Sequence, residues 1–493
     1  MISPHLPVLQ VVVPLIAAPA CVLVRHGTIA WALALVITWS TFAIALVLLV
    51  DVTGSGPISY AIGGWPPPWG IEYRVDALGA FVVVIVSAVG AAVMPFARAS
   101  VAREVAADRV YLFYTMYLLC LAGLLGITVT GDAFNLFVFL EISSLSSYVL
   151  ISLGRDRRAV TAAFRYLILG TIGATFYIIG VGMMYMVTGT LNIADLAERL
   201  PAMADSRTVQ MALAFLTVGI SLKLALFPLH LWLPNAYTFA PSAVTVFLAA
   251  TATKVAVYVL MRIVYTVFGG TVIFAEMPID EMLMGLGMLA MIGASLVAAF
   301  QDNVKRLLAY SSLSQIGYIV LGLSLANVSG LAGGIVHLFN HAMMKGTLFV
   351  AMGCVFYRVG SVHIDALAGV GRRMPFTMAG ALVGGLSLIG APLTVGFVSK
   401  WYLIRGALER GLWPVAMVVL VSGLLALIYF WRIVEAAYFR PAPASAAEIH
   451  EAPLGMLISL GVLAAACIGF GFDATPTMTI ALQAAASLLG AQP

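Results

Sequence analysis

The sequence predicts an all-α integral membrane protein of about fourteen transmembrane helices, containing two inverted five-helix repeats. Three observations carry that expectation. Of 493 residues, 62% are hydrophobic and only 9% charged, with a mean hydropathy of +1.06, whereas soluble chains carry about 25% charged residues. The apolar residues fall in runs of about 20, the length that crosses a bilayer. Several short segments recur in the same order at offsets of 166–171 residues.

Taken in order, the runs lie near 7–24, 29–50, 76–97, 110–129, 133–153, 162–187, 208–233, 242–268, 283–300, 307–326, 331–357, 376–404, 412–434 and 453–470. The first has no basic stretch before it and reads as a span, not a cleaved signal peptide. Connections are short, and the longest, residues 51–75, is rich in Gly and Pro. Alternate loops on one side hold fourteen Lys and Arg residues and those on the other side six. The positive-inside bias places the first side in the cytoplasm and both termini outside, in a bacterial or archaeal cell membrane.

Composition also excludes some functions. A net charge of +4 gives no case for nucleic-acid binding. The four cysteines at 21, 120, 354 and 467 are isolated in apolar runs, with no ligand spacing for a metal and no nucleotide fingerprint. No cofactor and no metal site are expected.

The lysines are informative. Loop cations are Arg almost throughout, whereas Lys223, Lys254, Lys345 and Lys400 fall inside or at the ends of apolar runs. Arg stays protonated, but a buried Lys can exchange its proton. Intramembrane charge is costly and points to function. Glu141 is the acidic counterpart, nine residues after Asp132 and so about 13 Å into its span at ~1.5 Å per residue. A single buried pair would read as a helix lock. A set comprising Glu141, Lys223, Lys254, His337, His341, Lys345 and Lys400 over five spans reads as a pathway. For Lys345, packing competes evenly with function. Serines of "SSLSSY" and "AYSSLSQ" read as packing groups that bond back along the helix, and Asp132, Lys305 and Arg306 as interfacial anchors.

The repeat is carried by four echoes. "SSLS" occurs at 143–146 and 311–314, "TGTLNIADLA" (188–197) echoes "VGSVHIDALA" (359–368), "MRIVY" (261–265) echoes "WRIVE" (431–435), and "GISLKLA" (219–225) echoes "GLSLIGA" (385–391). Spans 4–8 then correspond to spans 9–13. An odd number of spans per unit inverts the second, the plan of many transporters. Four units follow: 1–109 with three spans, 110–268 and 279–438 as the repeats, and 439–493 with the last span. Pro228 and Pro234 in span 7, and Gly390 and Pro392 in span 12, predict broken helices beside Lys223 and Lys400.

"GDAFNLFVFLE" (131–141), "KLALFPLHLWLPNAY" (223–237), "KRLLAYSSLSQIGY" (305–318), "HLFNHAMMKGTLF" (337–349) and "GAPLTVGFVSKW" (390–401) together resemble the proton-translocating antiporter-like subunits of NADH:quinone oxidoreductase, membrane-bound hydrogenases and Mrp-type cation/proton antiporters. The first motif is most similar to the D-type branch of the Mrp antiporters, while "LEISSLSSYVLI" also resembles one of the smaller subunits of the oxidoreductase, so the host complex stays open. The resemblance implies a proton-translocating subunit of a multisubunit monovalent cation (Na+)/H+ antiporter. It implies that Glu141 pairs with Lys223, that Lys254 connects the halves, and that His337, His341 and Lys400 form the second half-channel. Lys223 then reads as the entry and Lys400 as the exit. Partners are other membrane subunits, protons and candidate Na+, and the chain is a transporter subunit more than an enzyme. The alternatives are a proton-pumping subunit of a redox complex and, more distantly, a quinone-binding membrane oxidoreductase.

Overall fold

A computed structural model describes residues 3–270, 274, 277–441 and 449–490. Of the four units assigned from sequence, residues 1–2 of the first, and 442–448 and 491–493 of the last, lie outside the described residues. The chain is a multi-pass, nearly all-helical membrane protein. Thirteen described helices are long and apolar enough to cross a bilayer. Span 12 is the fourteenth: it is divided into Pro375–Ile389 and Val395–Glu409, so neither piece is a full span by itself.

Caps set where the spans begin. Asp132 accepts from Asn135 N at 2.7 Å and starts span 5 (Ala133–Ser152). Asn303 accepts from Arg306 N at 3.1 Å and starts span 10 (Val304–Ser324). These caps satisfy amides that the first helical turn leaves unpaired. Each cap residue also makes an isolated antiparallel bridge, Asp132 to Asn192 and Asn303 to His363. Both partners are displaced by 171 residues, the spacing of the sequence echoes. Spans 6 (Arg157–Thr188) and 11 (Val328–Val359) are both 32 residues long, and each ends on a left-handed glycine, Gly189 and Gly360. Spans 8 and 13 both close in a π turn, Arg262–Val267 and Glu435–Phe439.

The breaks fall where proline and glycine predicted them. The first half of span 7, Arg207–Leu224, stops at Ala225 with φ 59° and ψ 44°. A non-glycine residue there is strained by roughly 1–2 kcal/mol, and helix resumes at Leu233–Phe239. Trp232 bridges the gap. Its indole donates to the freed carbonyl of Leu222 at 2.9 Å and its ring stacks on Tyr166 with centroids 3.7 Å apart. Gly390, at φ 91°, ends the first half of span 12, and a Cβ there would meet Lys400 Cδ at 2.8 Å. Only glycine suits both that backbone and that side chain.

Two features of the fold were not expected. The Gly/Pro-rich loop after span 2 contains a hairpin of β1 (Ile58–Ala61) and β2 (Glu72–Val75), which marks one face of the protein. A helix, Thr475–Leu488, follows span 14 (Leu454–Phe472) and packs its alanines against the bundle.

On the hairpin face, Asp76 caps span 3 (Ala77–Glu104) through Gly79 N and holds the Arg262 guanidinium in a bidentate pair, Nη1 to Oδ2 being 2.7 Å. Arg262 is buried at the end of span 8. Burial alone would raise the Asp76 carboxyl. Arg262 and the Gly79 amide outweigh it and hold the group below the usual carboxylate range. A depressed folded value stabilises above the unfolded pKa of about 3.9, and the contribution is lost as pH falls through the folded value. Asp76→Asn keeps a capping oxygen but leaves Arg262 unpaired. It should cost about 3 kcal/mol, seen as a lower Tm in detergent at pH 7, with a gap to wild type that narrows on acidification.

Candidate functional site

Span 5 carries Glu141 opposite the C-terminal end of the first half of span 7, where Lys223 sits. The Lys223 ammonium donates to Glu141 Oε1 at 3.2 Å and to Ser144 Oγ at 2.7 Å. Lys223 is buried, while the Glu141 side chain keeps 26% of its surface exposed on the flank of the bundle. Position favours the cation, since the last carbonyls of a helix carry partial negative charge.

Lys400 reaches the equivalent place by a different route. It lies on the second half of span 12, and its ammonium folds back onto the carbonyls of Leu388 at 3.0 Å and Ile389 at 2.7 Å. Ile389 is the residue that matches Lys223 in the "GISLKLA" and "GLSLIGA" echo. Both lysines therefore serve the C-terminal end of a half-helix, although their sequence positions differ. Lys400 also stands 4.9 Å from the centroid of the Tyr318 ring.

Between these ends lies a polar row. Span 8 is interrupted at Thr251, which separates Ser242–Ala250 from Ala252–Met261. Lys254, in the first turn after that interruption, is fully buried and donates to the carbonyl of Ala249. His337, His341 and Lys345 recur at four-residue spacing on span 11 and so share one helix face. His337 contacts Ser399 Oγ at 2.7 Å through Nδ1 and Gln315 Oε1 at 3.1 Å through Nε2. Its ring lies 6.0 Å from His341 and 5.6 Å from Tyr318, which links it to Lys400. Both ring nitrogens of His341 are buried without a protein partner, and the ring is within electrostatic reach of Lys254 and Lys345. Lys345 donates to Leu308 O at 3.0 Å and to Ser311 Oγ.

Of the seven residues singled out from sequence, six are buried, and Glu141 is half-buried. Glu141 and Lys223 touch, His337 and His341 are neighbours on one helix, and Lys254 joins the row through the space around His341. Ser144, Gln315, Ser311, Ser399 and Tyr318 were missed as members. Most serines of the two motifs do bond back to the preceding turn, as Ser143, Ser146 and Ser147 do. Lys305 corrects an expectation. It is buried, not an interfacial anchor, and donates to Ser242 Oγ at 2.9 Å. Ser242 in turn donates through N and Oγ to Glu104 Oε2. Span starts on that face are covered by neighbouring chain, which a linear reading does not reveal.

The arrangement presents four buried amines, two imidazoles and one carboxylate in sequence across the bundle, all groups able to gain and lose a proton. Among the described residues of spans 5, 7, 8, 10, 11 and 12, the only carboxylate besides Glu141 is Glu409, paired with Arg405 at the end of span 12.

Comparison with known proteins bears on this geometry. A family model described as "NADH:quinone oxidoreductase/Mrp antiporter, TM" matches residues 130–426. The chain is 42% identical to the N-type subunit of the NADH-quinone oxidoreductase of Desulforudis audaxviator over 489 residues, 95% of each chain. It is 29% identical to the D-type subunit of the Na(+)/H(+) antiporter of Alkalihalophilus pseudofirmus over 98% of this chain and 97% of that one. A chain of the membrane-bound sulfane sulfur reductase, an archaeal respiratory membrane complex, superposes with a TM-score of 0.89 at 32% identity, covering 98% of each.

Proposed function

As a chain that belongs to the NADH:quinone oxidoreductase/Mrp antiporter membrane family, this protein, we propose, is a proton-translocating subunit of a multisubunit membrane complex. The observation that carries the reading is the contact of buried Lys223 with half-buried Glu141 at a helix break, continued by a row of titratable groups to Lys400.

When Glu141 lies beside Lys223, the carboxylate compensates the ammonium. When the two separate, the ammonium loses its counter-charge, and the proton passes toward Lys254. The imidazoles of His341 and His337 carry it on, since each ring has one nitrogen that can accept a proton and another that can donate one, and Lys400 receives it at the second helix break. Residues 110–268 and 279–438 act as the two inverted units. The arginine-rich ends of the spans face the cytoplasm, and the termini and the hairpin face lie outside. The chain sits in the cell membrane of a bacterium or archaeon.

The host we favour is a Na+/H+ antiporter assembled from several membrane subunits, in which a cation gradient drives separation of the pair. The 42% identity to an oxidoreductase subunit favours a second reading, a redox-driven pump using the same row. Purification with native partners separates them. Membrane subunits alone, with Na+-dependent proton movement in vesicles, support the antiporter. Co-purifying iron–sulfur subunits overturn it in favour of the pump.

A further inference from the structure

Two cavities, one within the first repeat and one at its edge, meet at one side chain. The larger opens on the hairpin face, holds about 410 Å³, and is lined by Asp76, Thr130, Glu198, Tyr258 and Arg262 among others. The smaller holds about 20 Å³ beside Lys223 and is lined by Ser143, Ser144, Ser147 and Tyr166. That is room for one water, and Lys223 Nζ and Ser144 Oγ offer it polar partners. Ile127 lines both cavities and is 1% exposed.

The neighbours confirm how thin the wall is. On span 5, Leu136 lines the large cavity and Leu140, one turn on, the small one. On span 8, Tyr258 faces the large cavity and Ala256 the small one. The barrier between solvent and the Lys223 chamber is therefore one apolar layer, with a β-branched side chain that holds few rotamers. Above it stands a fixed cation: Arg262 is locked by Asp76 and by Tyr258 Oη at 3.0 Å, and Tyr258 itself donates to Thr128 O at 2.9 Å.

We propose that Ile127 is an apolar gate on a route from the hairpin-face solution to Lys223, with Arg262 stationed at its mouth. Closed, the gate keeps the chamber to a single water and blocks a continuous water chain. Opened by a side-chain or helix shift, it lets water connect Lys223 to the vestibule. This rests on the proton-relay reading for its purpose, but not for its geometry.

The test uses the whole complex in sealed vesicles, with Cys21, Cys120, Cys354 and Cys467 replaced by Ala, and Ag+ as the probe. Ala197→Cys reports the vestibule and Ser143→Cys the chamber. Ag+ protection against maleimide tagging after SDS is measured with the probe on each side. From the hairpin face, Ala197→Cys should react readily. Ser143→Cys should react at least tenfold faster with Ile127→Ala than with Ile127, and more slowly with Ile127→Phe. If Ile127→Ala does not assemble, Ile127→Val gives the smaller rise. Equal Ser143→Cys rates in all backgrounds, or reaction only from the opposite face, overturn the gate. Passive proton leak is read in parallel. A faster Ag+ reaction with no added leak would support the gate and overturn the relay reading instead.

Discussion

Lys223→Arg should lower proton transport by the assembled complex at least tenfold, equivalent to about 1.4 kcal/mol in the controlling barrier, while leaving assembly intact. The guanidinium keeps the positive charge and the reach to Glu141, so the contact between spans 5 and 7 survives. It does not release its proton, so the relay stops at its first member. The bulkier head also crowds the 20 Å³ chamber and the Ser144 contact. The measurement is acidification or alkalinisation of reconstituted vesicles, with the complex's composition checked on the same preparation. A Lys223→Arg complex that moves protons at the native rate would remove Lys223 from the pathway.

Lys254→Met should likewise lose function without losing stability. The Lys254 head is fully buried, with a backbone carbonyl and the Thr253 hydroxyl at 3.4 Å as its hydrogen-bond acceptors. Burying an amine in such surroundings costs free energy, and methionine keeps much of the stem while removing the polar head. Transport should fall at least tenfold and Tm should hold or rise by a few degrees. A variant that is clearly less stable yet still transports protons would reassign Lys254 to a structural role.

Much of this was legible in the sequence, because charge inside an apolar run is a signal that one residue can send. Glu141 and the four lysines stood out for that reason, and the two breaks announced themselves through Pro228 and Gly390. Hydroxyl and amide partners sent no such signal. Ser144 and Ser147 are alike in sequence, yet the first meets Lys223 and the second bonds back to Ser143 O. Which serine faces a lysine depends on how helices are rotated against each other, and periodicity does not fix that. Lys305 was misread because only the folded chain brings Ser242 and Glu104 over it. Thr475–Leu488 was too short, and too rich in alanine, to register as an element. Lys400 stands eleven residues beyond Ile389, the position that matches Lys223, and the backbone break folds that longer path back so that the ammonium meets the Ile389 carbonyl.

The scarcity of acid in the row sets its occupancy. Four amines share one internal carboxylate, so a state with several of them charged would place uncompensated positive charges side by side in a low-dielectric interior, where repulsion is strong. On the proposed relay, that repulsion would keep the number of excess protons in the row small. Protons would then travel in single file, each waiting for the one ahead to leave at Lys400, and throughput would follow the slowest handover.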